Sequence, residues 1–197
     1  TPTKTGVEQL KRLIRYLASA PRLVWKFGIQ TNDNPSDLRV FVDTDFAGCH
    51  VTRRSTSGGA ACRGDHLIKH WSTTQVTVAL SSAEAELTGI SKGAAQGLGL
   101  QTIANDLGIP LNLVVLTDAT AAIGICRRRG LGKVRHLATA DLWMQDRIRK
   151  GDFQLLKVAG ADNPADMLTK HVDKPLLMKH CSALGLSFEG GRAESCL

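Results

Sequence analysis

Residues 38–45, LRVFVDTD, place an alternating apolar segment directly before two aspartates. In an extended chain Val40 and Val42 share one face of the strand, while Phe41 and Asp43 share the other. A carboxylate at the end of a buried strand is energetically costly unless a cation meets it. The segment therefore predicts a core strand that presents Asp43 to a positive charge.

The segments that follow predict a hairpin and then strands that alternate with helices. TSGGAAC (56–62) and HLIKHWS (66–72) are strand-like, and the Arg-Gly-Asp between them (63–65) favours a turn. The apolar run LNLVVLTD (111–118) is typical of a central strand covered on both faces, and DFQLLKVAG (152–160) predicts another strand. Hairpin strands followed by α/β units predict an α/β fold with a mixed sheet.

The predicted helices of this region have recognisable starts. Ser81 and Glu84 form an S-x-x-E capping box, and Asn163 with Pro164 suits the N-cap and first position of a helix over NPADMLTKH. Two further helices are predicted, ATAAIGICRR (119–128) and LATADLWMQDRIRK (137–150). The helix from Ser81 contains glycines that would let it approach the sheet closely: Gly89, Gly93, Gly97 and Gly99.

Four carboxylates occur where strands end or helices begin. Asp43 and Asp118 end strands, Asp166 lies in the first turn of a predicted helix, and Glu86 lies on the helix after the hairpin. Taken alone, Asp118 could be a helix cap and Asp166 a favourable contact with a helix dipole. Four carboxylates gathered at strand ends would repel one another, and divalent cations that prefer hard oxygen ligands, Mg²⁺ or Mn²⁺, would offset that repulsion.

Glu84 and Glu86 must be distinguished because they lie on one helix. Two residues are separated by about 200° around a helix, so the two side chains face opposite ways. Glu84 suits the capping box, whereas Glu86 lies beside the apolar stripe that packs on the sheet. Glu86 is therefore the glutamate predicted for the site.

Six sequence blocks, in this order and spacing, resemble the ribonuclease H domain of copia-type LTR retrotransposon polyproteins: VDTDFAG, RRSTSGG, IKHWSTTQVTVALSSAEAEL, LTDATAAI, VRHLATADL and GADNPADMLTK. The resemblance covers about residues 38–171. TVALSSAEAEL and ADMLTK are its most specific parts, whereas a lone D-x-D would carry little information.

The resemblance implies a ribonuclease H-like fold, in which a five-stranded mixed sheet of three antiparallel strands and then parallel strands is flanked by helices. It also implies an Asp, Glu, Asp, Asp active site that binds two Mg²⁺ ions, for which Mn²⁺ can substitute. Matched block by block, these acids are Asp43, Glu86, Asp118 and Asp166, the four chosen above from local chemistry. Asp43 is expected to bridge the two ions.

The implied activity is hydrolysis of the RNA strand of an RNA–DNA hybrid during reverse transcription, with 3′-hydroxyl and 5′-phosphate products. The implied partners are the hybrid and the reverse transcriptase domain of the same polyprotein.

Two departures from the pattern of related enzymes stand out. Ala119, rather than a polar residue, follows Asp118, and the loop VAGADNPAD lacks a histidine. The proton-transfer group therefore stays open, with His136 and His171 as weak candidates.

Two groups of residues are candidates for contacts with nucleic acid. A basic loop is expected to track phosphates, although a solvated surface is the alternative: Arg127, Arg128, Arg129, Lys133 and Arg135. Three polar residues near Glu86 could meet the 2′-hydroxyls that distinguish RNA, although helix capping or simple exposure explains them equally well: Gln75, Ser81 and Ser82.

The chain is predicted to have three parts. Residues 1–37 form an N-terminal extension that resembles the connection from reverse transcriptase, with a helix over 7–18 and a polar linker over 30–37. Residues 38–171 form the ribonuclease H domain. Residues 172–197 form a short helix and a tail.

Composition sets outer limits on function. The net charge of +7 suits a polyanionic partner, and no segment approaches the roughly 20 apolar residues of a membrane span. Five scattered cysteines without a CxxC predict neither a zinc site nor a disulfide framework, and so favour a reducing compartment. The expected location is intracellular: cytoplasm, virus-like particle or nucleus.

Two other functions fit parts of this pattern. DNA transposases and integrases share the fold class and metal chemistry, but they typically order their acids Asp, Asp, Glu, whereas here Glu86 comes second and Asp166 last. A catalytically inactive nucleic-acid-binding or spacer module is the other alternative. Loss of one acid would favour it, and all four acids are present.

Overall fold

The computed structural model describes residues 2–20, 22–29, 36–130 and 139–191. Its strands in this part of the chain are β1 Arg22–Trp25, β2 Asp37–Asp45, β3 Thr56–Arg63, β4 His66–Thr74, β5 Asn112–Thr117, β6 Gln154–Lys157 and β7 Leu186–Glu189. Its α-helices there are α1 Lys4–Ser19, α2 Ser82–Asp106, α3 Thr120–Arg127, α4 Thr139–Lys150 and α5 Lys174–Ala183.

The central sheet has five strands in the order β4-β3-β2-β5-β6. Strands β2, β3 and β4 pair antiparallel, whereas β5 is parallel to both β2 and β6. The α/β class and the five-stranded mixed sheet expected of a ribonuclease H-like fold are confirmed. Strand β2 lies at the centre of the sheet, so Asp43 is carried by its most enclosed strand.

Helix α2 packs closely on one face of the sheet, as its glycines predict. A Cβ atom at Gly93 would overlap the side chain of Val42, and one at Gly89 would overlap the hydroxyl of Thr44. Gly97 faces Leu113 in the same way, whereas a Cβ at Gly99 would meet open space. Three of the four predicted close approaches are therefore present.

The opposite face of the sheet is covered by segments from both ends of the chain. Strand β1 pairs antiparallel with β7, and Leu23 lies opposite Phe188. The last ten residues, 188–197, are expected to be a tail, but Phe188 and Glu189 belong to strand β7, which obtains its hydrogen bonds from a partner far away in the sequence. The predicted linker 30–37 falls mostly outside the described residues, and the boundaries at 37 and 171 stay predictions.

The segment that carries Asp166 also differs from its prediction. It forms a short 3₁₀ helix over Pro164–Leu168, not the start of a longer α-helix. Asn163 does cap it, accepting a hydrogen bond from the backbone N–H of Ala165. At the C-terminal end of this helix, the hydroxyl of the C-cap residue Thr169 donates a hydrogen bond to Asp43.

The N-terminal helix is present where the apolar spacing predicts it. Its apolar side chains are partly exposed, between 42% and 55%: Val7, Leu10, Leu13, Ile14 and Leu17. Among the described residues, no helix combines the length and apolarity needed to cross a membrane.

Candidate active site

Three carboxylates meet at one edge of the central sheet. Strands β2 and β5 are parallel, and their register pairs Phe41 with Leu116. Two residues further along, each strand therefore leads to an aspartate at the same edge of the sheet, Asp43 from β2 and Asp118 from β5. Helix α2 adds Glu86, and one carboxylate oxygen from each of the three acids lies within 4.8 Å of the others.

Burial and neighbouring negative charge raise the pKa values of Asp43 and Glu86. Asp43 is only 3% exposed, and its pKa is raised mainly by burial, with Asp166 and Asp118 adding repulsion. Burial, followed by the negative charges of Asp43 and Asp118, raises the pKa of Glu86 to about 8. The Oε2 atom of Glu86 is buried and has no hydrogen-bond partner in the described part of the chain. This group of acids is therefore deficient in positive charge.

A divalent cation suits this group. Mg²⁺ and Mn²⁺ prefer carboxylate oxygens, and a cation between the three side chains would remove their mutual repulsion. It would also give the buried Oε2 atom of Glu86 the partner that it lacks. The donor set of Asp43, Glu86 and Asp118 therefore fits the ion that the sequence predicts.

Asp166 lies beside the three acids, and the side chain of Lys170 lies between Asp166 and Asp43. The ammonium group of Lys170 forms an ion pair with Asp166 Oδ1 and lies 3.9 Å from Asp43 Oδ2. The hydroxyl of Thr169 donates to the same Oδ2 atom of Asp43. All four predicted acids thus lie in one pocket, but three form the close group and the fourth is paired with a protein cation.

The Asp166 segment is held against β2 and β3 by specific contacts. Asn163 is fully buried, and its amide donates to the carbonyl of Val42, 2.9 Å away, one residue before Asp43. Gly58, opposite Asp43 in strand β3, leaves room for the segment. A Cβ there would lie 2.7 Å from Thr169 Cγ2, too close for a packed structure.

Sequence reasoning missed the roles of three residues in this segment. Asn163 was assigned only as a helix cap, and Thr169 and Lys170 were quoted only as part of the ADMLTK block. The available signal was a Thr and a Lys placed three and four residues after Asp166, a predicted metal ligand. Their contacts with Asp43 depend on the tertiary fold, so local spacing could not identify them.

The polar residues predicted near Glu86 divide into two groups. Gln75 is buried, and its amide nitrogen donates to Ser57 Oγ at 2.9 Å and to the carbonyl of Ala85 at 2.8 Å. Both amide protons are therefore used inside the protein, and its contact with nucleic acid stays a prediction. Ser81 and Ser82 are exposed at the start of α2, and their contact with RNA stays a prediction.

The capping box at the start of α2 is present. Ser81 Oγ accepts from the backbone N–H of Glu84 at 3.2 Å. The Glu84 carboxylate in turn accepts from the backbone N–H of Leu80 at 2.7 Å. Glu84 is therefore committed to the helix end, which leaves Glu86 as the glutamate of the pocket.

Only part of the predicted basic loop is described. Arg127 donates to the carbonyl of Leu155 at 2.6 Å, which ties this guanidinium to strand β6. Arg129 is exposed and Arg128 is half-buried. Three other predicted residues lie outside the described part of the chain: Lys133, Arg135 and His136. His171 is described and exposed, and its role in proton transfer stays a prediction.

Comparisons with known sequences match nearly the whole chain. No protein-family model matches. The chain is 27% identical over 191 residues to the retrovirus-related Pol polyprotein from transposon RE1 of Arabidopsis thaliana, a match that covers 94% of this chain and 13% of the relative. It is 28% identical over 175 residues to that from transposon TNT 1-94 of Nicotiana tabacum, covering 88% and 13%. The chain thus spans 13% of the length of these curated relatives.

Solved structures with a similar backbone fold include two ribonuclease H proteins. One is the N-terminal RNase H domain of rv2228c from Mycobacterium tuberculosis, with 19% identity and a TM-score of 0.47 over 75% of this chain and 96% of that one. The other is LC11-RNase H1 in complex with an RNA/DNA hybrid, with 12% identity and a TM-score of 0.48 over 68% and 94%. Both TM-scores lie below 0.5, so the fold assignment depends on the observed sheet topology.

Proposed function

The homologues of this chain are the retrovirus-related Pol polyproteins of copia-type transposons, and from that premise we propose that it is the ribonuclease H of such a polyprotein. Its proposed reaction is the hydrolysis of the RNA strand of an RNA–DNA hybrid during reverse transcription. The products would carry a 3′-hydroxyl and a 5′-phosphate.

The observation that carries this proposal is the group of three carboxylates on separate elements of the fold. Asp43, Glu86 and Asp118 bring their oxygens within 4.8 Å of one another. The shared burial and repulsion of such a group is unfavourable for a purely structural site. The arrangement supports a metal-dependent hydrolase, in which carboxylate oxygens are needed together in one place.

The residues of the pocket have separable roles in the proposed reaction. A pair of Mg²⁺ ions, when bound, lowers the pKa of a water molecule and stabilises the leaving oxygen. Asp43 would serve both ions because it lies between the Glu86–Asp118 group and Asp166. Thr169 holds the Asp43 carboxylate in position through its hydroxyl donor. Asn163 and Gly58 keep Asp166 beside it.

The substrate and partners follow from the same premise. The hybrid would run across the sheet edge, with exposed Ser81 and Ser82 near the RNA strand and Arg128 and Arg129 near phosphates. The reverse transcriptase domain of the same polyprotein would deliver the hybrid. The proposed location is intracellular, in the cytoplasm, in a virus-like particle or in the nucleus.

A cleavage assay with three end-labelled substrates tests the proposal: RNA–DNA hybrid, duplex DNA and duplex RNA. With Mg²⁺ or Mn²⁺ present, we expect cleavage of the RNA strand of the hybrid alone, and no cleavage with a chelator. Cleavage of duplex DNA would instead favour a transposase or integrase. Binding of the hybrid without cleavage would favour an inactive binding or spacer module.

A further inference from the structure

Lys170 places a protein cation inside the acidic pocket. Its ammonium group is paired with Asp166 Oδ1 and is 3.9 Å from Asp43 Oδ2. Among the ion pairs of the described residues, Lys170 supplies both contacts to the four acids. A single side chain therefore places one positive charge between the carboxylates of Asp43 and Asp166.

The backbone of Lys170 is anchored, whereas its side chain can leave. Its N–H donates to the carbonyl of Asp166 at 3.2 Å, and the preceding Thr169 is bonded to Asp43. The side chain is 48% exposed, so it can swing into solvent without breaking the core. A lysine side chain is a flexible four-carbon stem with a strongly hydrated head, which suits such a movement.

The other acids of the pocket lack this arrangement. Glu86 has a buried oxygen with no hydrogen-bond partner among the described residues, and one of its oxygens lies within 4.8 Å of one oxygen each of Asp43 and Asp118. One part of the pocket is therefore open to a divalent ion. The part between Asp43 and Asp166 already holds a positive charge.

We propose that Lys170 occupies the cation position between Asp43 and Asp166 in the substrate-free protein and must leave before a second divalent ion binds there. This inference rests on the proposed two-ion hydrolase. The free protein should bind one divalent ion tightly, at Asp43, Glu86 and Asp118, and a second ion only weakly. Lys170 would thereby make the second ion, and so the complete site, dependent on the arrival of substrate.

The test is calorimetric titration of Mn²⁺ into the 197-residue chain without nucleic acid. For wild type we expect one tight site and a weak second site. Because the neutral variant Lys170→Gln removes a positive charge at about 4 Å, it should tighten the second site by about tenfold or more. Lys170→Arg keeps the charge and should resemble wild type. Lys170→Met is a second neutral variant if Lys170→Gln does not fold.

Lys179→Gln is the matched control. Lys179 pairs with Asp162 at 2.6 Å, outside the group of acids, so its loss should leave both ion affinities unchanged. Equal second-site affinity in wild type and the neutral Lys170 variants would overturn the inference. An equal gain in Lys179→Gln would also overturn it, because it would show a general effect of charge.

The two proposals can fail separately. If wild type cuts the hybrid and the neutral Lys170 variants bind ions as wild type does, the inference fails and the proposed function stands. If no form binds Mn²⁺ and the hybrid stays intact, both fail. A tightened second site in a protein that cuts no hybrid would support the role of Lys170 and overturn the proposed activity.

Discussion

On one side of the pocket Glu86 and Asp118 face Asp43 with no ion pair to either among the described residues, and on the other side Asp166 faces Asp43 across Lys170. We call these the carboxylate side and the lysine side. The first depends on a cation from solution, because burial and the negative charges of Asp43 and Asp118 raise the pKa of Glu86. The second contains its own cation and is stable in the folded chain alone. The difference separates carboxylates that have no protein cation beside them among the described residues from carboxylates that the folded chain already supplies with one.

Asp43 belongs to both sides, so its replacement should have the largest effect. Asp43→Asn removes a ligand charge shared by both ion positions, and we expect a loss of hybrid cleavage of about a thousandfold or more. Single-turnover cleavage of labelled hybrid measures this loss. Asp162→Asn, at an exposed aspartate near Asp166, is the control and should cut normally. Equal rates for wild type and Asp43→Asn would show that the site is elsewhere.

The carboxylate side should make the metal-free protein sensitive to pH. The pKa of Glu86 is raised from 4.5 in the unfolded chain to about 8. Between these values the folded protein holds a proton that the unfolded chain has released, so the free energy of unfolding falls as pH rises from 4.5 to about 8. The expected loss is on the order of 2 kcal/mol, after allowance for partial exposure.

Urea unfolding at several pH values, in a chelator, measures this loss. Glu86→Gln should flatten the profile, and added Mg²⁺ should restore stability at high pH because the ion favours the ionised carboxylates. Asp43, whose pKa is also raised, adds to the slope in the same direction. If the free energy of unfolding of the metal-free protein rose between pH 4.5 and about 8, the lack of positive charge beside Glu86 would be contradicted.

Neutralising one acid on the carboxylate side and one on the lysine side should change the free energy of unfolding in opposite directions. At pH 7 without metal, Glu86→Gln removes the cost of protonating Glu86 on folding, and we expect a gain of about 1 kcal/mol. Asp166→Asn removes the partner of Lys170 and should cost up to about 1 kcal/mol, because the lysine is half-exposed. Thermal unfolding in chelator measures both. Equal changes in the two variants would remove the distinction between the sides.

The lysine side also depends on the space that Gly58 leaves. A Cβ there would meet Thr169 Cγ2 at 2.7 Å and Leu168 Cβ at 3.0 Å, so Gly58→Ala should cost about 1–3 kcal/mol and reduce cleavage. Gly99→Ala, where a Cβ meets open space on α2, should gain up to about 1 kcal/mol. Urea unfolding of this matched pair measures both changes. A tolerated Gly58→Ala would show that the Asp166 segment can move away from β3.

Removing phosphate contacts outside the pocket should have the smallest effect of these substitutions. Replacing Arg127, Arg128 and Arg129 by Gln should weaken hybrid binding and lower the slope of log affinity against log salt, by up to about 0.9 for each lost phosphate contact. Arg129→Gln alone keeps the bond from Arg127 to Leu155 and so isolates the charge effect. Lys26→Gln, at a residue paired with Glu189, is the control. An unchanged slope would show that this loop is only a solvated surface.

The sequence by itself determined the type and order of most elements. Alternation predicted β2, the unbroken apolar run predicted β5, and the glycines of α2 predicted its contact with the sheet at three of four positions. These patterns are local, because a strand has a period of two residues and a helix a period of 3.6. The positions of the acids in the sequence likewise predicted that Asp43, Glu86 and Asp118 meet.

Only the tertiary structure decided which charges meet. It brought Lys170 and Thr169 onto Asp43, committed Gln75 to Ser57 and Ala85, and paired strand β1 with β7. Each of these contacts joins residues that no local period relates. Their energies depend on distance and burial after folding, because a charge that is inexpensive in water becomes costly when its neighbours exclude water.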